Sequence, residues 1–180
     1  MQAILRSLHS VINSTFSIEP LRVYHASFPD FIIDGKRCKR DELVIHRAEH
    51  HHSIASLCFR VMESALRRNI CKLDDSERYQ KNCDIPNIAK RVEEKVSPQL
   101  AYSCRYWADH LAKGGEVDDK HLKQLNDFVF THFLHWLEVL SLIGKMGSAY
   151  EALEHVQQMK IVSDPVFFWN FGPTACLDWH

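Results

Sequence analysis

Twelve histidines in a chain of 180 residues supply groups that bind metals, relay protons or contact phosphate. The densest set is His46, Glu49, His50, His51 and His52. His46 and His50 are spaced by one helical turn, and Glu49-x-x-His52 matches one half of a di-metal carboxylate motif. A complete site needs a second Glu-x-x-His and two further glutamates on facing helices, and the sequence offers no second copy. His46, Glu49, His50 and His52 are therefore metal-ligand candidates without a full set, and the plainer expectation is a polar helix face with no metal or other cofactor. His25 follows Val23-Tyr24 at a junction where an imidazole can be aimed at a ligand. Imidazole donates to phosphate oxygens and changes charge near neutral pH. His132 and His135 stand three apart in the most apolar stretch, where each is expected to bond a carbonyl, Tyr or Ser nearby. No Ser/His/Asp or Cys/His grouping has the local context of a nucleophile, so the chain is not expected to be an enzyme.

The elements that must position these groups are mostly helical. Residues 2–12 place Ile4, Leu8, Val11 and Ile12 at helical spacing. Val23 and Tyr24 read as the end of a short strand, and Phe28, Phe31, Ile32 and Asp34 as a turn or two of helix closed by Gly35. From Asp41 to about Asn69 the pattern is helical, with Asp41 as N-cap and Leu57 among the residues widening the apolar face. Residues 70–85 form a loop, and Pro86 to Val96 a short charged helix. Ser97-Pro98 is a helix start, and Gly114-Gly115 a stop. The next helix runs from Asp118 or Asp119 to Ile143 and is apolar nearly all round beyond Phe128, which predicts a buried central strut. Ser148-x-x-Glu151 has the form of a capping box opening the last helix. Trp107, Trp136, Tyr102 and Tyr106 read as core aromatics. The expected fold is mainly α, a helical array of about five helices.

Composition excludes several classes. Hydrophobic residues make up 46% and charged residues 25%, and the net charge is −1, so no strong field attracts nucleic acid or an anionic membrane. The longest apolar run, Phe128 to Gly144, contains His132, His135 and Glu138 and is shorter than the roughly 20 residues that span a bilayer. The six cysteines are scattered without Cys-x-x-Cys spacing, which fits a reducing, cytoplasmic setting.

Three segments in order resemble one family: Val23-Tyr24-His25-Ala26-Ser27-Phe28-Pro29-Asp30-Phe31-Ile32; then Glu49 to Met62 with Leu66 to Cys71; then Leu100 to Leu111 with Phe133 to Leu142. Together they resemble the region after the NTPase core in fungal NACHT proteins of the NLR-like (STAND) class, usually ahead of WD repeats. The resemblance covers about residues 1–160. It implies a winged-helix remnant over 1–36 and a helical linker arm over 37–160, followed by a divergent aromatic tail over 161–180. It also implies that His25 corresponds to a histidine that senses bound nucleotide. A phosphate-cradling loop is missing: the only Gly-Lys pairs are Gly35-Lys36 and Gly144-Lys145, and neither is followed by Ser or Thr. The chain alone is expected not to bind ATP. The family reading implies a non-catalytic regulatory module that meets a protein partner or itself through the helical array and the aromatic tail. The alternative is a small metal-binding helical protein or enzyme using His46 to His52.

Overall fold

The structure is a computed structural model and describes residues 12–13, 22–40, 43–74, 76–77 and 80–159. The aromatic tail and most of the helix expected over 2–12 lie outside the described residues. The chain divides into two compact units, Met1–Arg47 and Ala48–His180.

In the first unit, strands β1 (Ile12–Asn13) and β2 (Arg22–Val23) pair antiparallel with Ile12 opposite Val23. Ile12 is thus in a strand and not in the helix its spacing predicted; β-branched residues at both paired positions suit a pleat. Helix α1 (Ser27–Ile33) covers the expected Phe28, Phe31 and Ile32. Asp34 ends it: its side chain accepts from the Lys36 amide at 2.9 Å and its carbonyl from the Cys38 amide at 2.8 Å. The Ile45 amide then bonds the Ile32 carbonyl at 2.8 Å. An amide committed there cannot join a helical ladder, which is why the next helix starts at Arg47 and not near Asp41, itself outside the described residues.

The second unit carries α2 (Arg47–Ala65), a 3₁₀ turn (Asn82–Asp84), α3 (Ile88–Lys95), α4 (Pro98–Lys113), α5 (Asp119–Leu142) and α6 (Gly147–Gln158). Two starts follow the sequence closely. Ser97 Oγ accepts from the Leu100 amide at 3.2 Å with Pro98 behind it, and Asp118 Oδ1 accepts from the His121 amide at 2.8 Å. The expected capping box at Ser148 does not form. Gly144 turns left-handed at φ +66°, the Lys145 amide closes back on the Leu140 carbonyl at 2.8 Å, and α6 begins at Gly147. Ser148 is already inside the helix there, past the N-cap position at Met146.

The core is aromatic. Trp107 lies 5.3 Å from Phe59, 5.2 Å from Phe128 and 6.0 Å from Trp136 between ring centroids, and Trp136 meets Phe128 edge-on at 5.7 Å. These separations and tilts are those that aromatic quadrupoles favour. Trp136 is fully buried and its Nε1–H donates to the Cys104 carbonyl at 2.7 Å. Helix α6 lies against α4 and buries Ala149, Ala152 and Val156. Helix α5 is not enclosed all round as expected: Phe130 is 60% and Leu134 72% exposed. Its core stripe (Leu125, Phe128, Trp136, Val139, Leu140) takes up the available partners, and the opposite side meets solvent. Tyr102, read as core, is also exposed.

Glu138 on α5 fixes the turn after α2, accepting from the Asn69 and Ile70 amides at 2.9 Å each. Asn69 is left-handed at φ +52°, so the turn needs this support. Replacing Glu138→Ala strands two amides, and urea unfolding should show a loss of about 1.5–3 kcal/mol. Glu138→Gln keeps one acceptor and should lose less.

Candidate functional site

His25 lies on the surface, and its Nδ1 accepts from the Ser27 amide at 3.1 Å with Ser27 Oγ 2.7 Å away. Its observed partners are local. The metal candidates separate: His46 precedes α2, Glu49 and His50 are exposed on it, and His52 is half-buried. His52 stacks at 4.6 Å on His121. Among the described residues no group of three or more His, Cys, Asp or Glu is placed to hold a metal ion.

The structure instead gathers histidines where the first turns of α2 meet the end of α4 and the start of α5. His51 Nδ1 lies 2.8 Å from His110 Nδ1, and Tyr102 Oη lies 2.7 Å from His110 Nε2. Two imidazole nitrogens this close hold one proton between them, one donating and the other accepting. Burial lowers the His110 pKa from its ordinary 6.5, and the neighbouring His51 lowers it further. Tyr102 is raised from 10.0, first by burial, so its hydroxyl stays protonated at neutral pH. The result is a short chain of hydrogen bonds from Tyr102 through His110 to His51. The His52 ring also lies directly on Gly114, the residue that closes α4. A Cβ added at Gly114 would sit 1.8 Å from His52 Cδ2.

A second chain links Ser56, His121 and Asp118, with His121 Nε2 3.0 Å from Ser56 Oγ and Nδ1 2.5 Å from Asp118 Oδ1. The order of groups is that of a serine hydrolase, but the Ser56 proton is directed elsewhere. Ser56 Oγ donates to Gln124 Oε1 at 2.9 Å, and His121 Nε2 also lies 3.0 Å from the His52 carbonyl. A general base takes a proton that is directed at it, and this one is held by Gln124. Hydrogen bonds from the His121 backbone, then its ring, lower the Asp118 pKa, so the carboxylate stays ionised. His121 works here as a clamp between α2 and α5. Two buried thiols are held protonated: burial pushes Cys104 up to about 12 and raises Cys58.

His132 and His135 depart from expectation. Both are half-buried, their rings are 6.0 Å apart, and among the described residues neither Nδ1 has a hydrogen-bond partner. Sequence reasoning read Tyr102 as a core aromatic and passed over His110, His121 and Ser56 as functional groups, because His51, His52 and Gln124 lie far along the chain from them. The only local signal was Asp118-x-x-His121 at a helix start. The chain matches no protein-family model, no curated protein and no solved structure.

Two predictions follow from this geometry. Gly114→Ala drives a methyl group into the His52 ring and should cost about 1–3 kcal/mol by thermal or urea unfolding, with His52→Ala restoring part of it. A lowered His110 means that the unfolded chain binds the proton first as pH falls. Its stabilisation is complete above its ordinary 6.5 and is lost as pH falls toward the depressed folded value. His132, lowered chiefly by burial, acts in the same direction. Urea midpoints should therefore drop between about pH 7.5 and about pH 5.5, with a shallower drop in His110→Asn.

Proposed function

We propose that this chain is a non-catalytic helical interaction module, the linker arm of a NACHT-type signalling protein of the fungal, NLR-like kind. The observation that carries the interaction reading is an apolar groove between α2 and α4. Ile54, Leu57, Val61 and Pro98 line it, with Leu57 53% and Tyr102 45% exposed. Large apolar side chains gathered in one open groove are the usual mark of a docking surface. The engagement of the Ser56 proton by Gln124 and the raised thiols of Cys104 and Cys58 favour a role without covalent chemistry. The succession of strand, His25 and α1 favours a winged-helix remnant, and in the absence of a phosphate loop His25 is a former nucleotide sensor. The partner is another protein or a second copy of this chain.

Size-exclusion chromatography with light scattering, together with a hydrophobic dye, tests the reading. The chain should bind dye and associate as concentration rises. Leu57→Glu, at an exposed position, should reduce both without altering the circular dichroism spectrum. A clean monomer that binds no dye overturns the proposal.

A further inference from the structure

A different cleft, between α2 and α5, carries a chemistry of its own. Its floor is the pair of buried rings Phe59 and Phe128, and its volume is about 250 Å³. Drug-sized ligands occupy roughly 300–1,000 Å³, so this space suits a group the size of one long side chain. Glu63 stands on the α2 wall and Asp127 on the α5 wall, and neither carboxylate forms an ion pair among the described residues. His132 completes the α5 wall, and its buried Nδ1 has no partner among the described residues. Burial holds this imidazole below its ordinary 6.5, the neighbouring His135 adds to the effect, and Glu63 opposes it. At neutral pH the ring is uncharged and one nitrogen carries a lone pair.

We propose that this cleft binds an alkylammonium or alkylguanidinium group. Such a cation supplies several N–H donors on one centre, and the cleft presents two carboxylates as acceptors beside an uncharged imidazole. The aromatic floor accepts the alkyl stem, and its ring faces attract the cationic head. An anionic ligand would be repelled by both carboxylates, and a neutral one would offer them no counter-charge. The same cation can come from an Arg or Lys side chain of a partner protein or from a free polyamine. The site stands whether or not the groove between α2 and α4 engages a partner.

The test is calorimetry and amide chemical-shift mapping on the full chain with n-butylguanidinium, n-butylammonium and the uncharged isostere n-butylurea at matched ionic strength. Both cations should bind saturably, with shifts confined to α2 around Phe59–Glu63 and α5 around Gln124–His132, while the urea does not bind. Glu63→Gln and Asp127→Asn should each weaken the cations about fivefold, the size expected for a partly exposed charge pair. Both variants should retain wild-type circular dichroism and thermal unfolding, since Glu63 and Asp127 are exposed. Nα-acetyl-arginine amide and agmatine then separate the sources: tighter binding of the first assigns the site to a partner's side chain, of the second to a free amine. Equal binding of the urea, or cation affinity unchanged in the Glu63→Gln/Asp127→Asn double variant, overturns the proposal.

Discussion

The second unit depends on burying Trp136 without stranding its indole N–H. Full burial of so large a ring demands walls on several sides, and its N–H must find an acceptor inside them. The Cys104 carbonyl on α4 meets that demand. Once α4 and α5 are set at that distance, Trp107 comes against Phe128, and Phe59 from α2 closes the cluster. The paths of α2, α4 and α5 can be understood as a way of covering these rings. The small residues of α6 and the carboxylate of Glu138 are adjustments at its edges.

The polar groups around that core separate connectivity from chemistry. Ser56, His121 and Asp118 lie in the order of a nucleophile, a base and an orienting acid. Gln124 takes the Ser56 proton, and the His52 carbonyl sits against the same imidazole nitrogen, so these contacts tie α2 to α5. The same residues would read as catalytic if distance alone were considered. Hydrogen-bond direction is the stricter criterion, and the serine proton is directed at Gln124.

Local features were legible in the sequence where the physics is local. Ser97-Pro98 and Asp118 start helices because a capping oxygen and the amide it serves are three residues apart. Gly144 ends one because it alone tolerates the left-handed turn there. The start of α2 was not legible, since it depends on the Ile45 amide reaching a carbonyl thirteen residues back. The exposure of Phe130 and Leu134 was hidden for a related reason: composition gives the apolar face of α5, but only the neighbouring helices decide which part is covered. The candidate site was the least legible. Its imidazoles come from separate helices, and the contiguous run at His50 to His52 drew attention to the wrong partners. Of that run, His51 and His52 matter through His110 and His121.

The bonds that hold α2 have a further consequence, in the cost of assembly. His51 to His110 spans 59 residues, and Ser56 to His121 spans 65. Ser56 to Gln124 and Glu138 to Ile70 each span 68, and the two remaining ties, His52 to His121 and Asn69 to Glu138, span 69. Helices α4, α5 and α6 are joined instead by short connections and can find one another early. Closing a loop of nearly seventy residues costs entropy before any of these bonds offsets it, and contacts of high sequence separation form slowly. Docking of α2 is therefore the step in this unit that costs the most loop closure, and it is the step that covers Phe128 and Trp107 with Phe59.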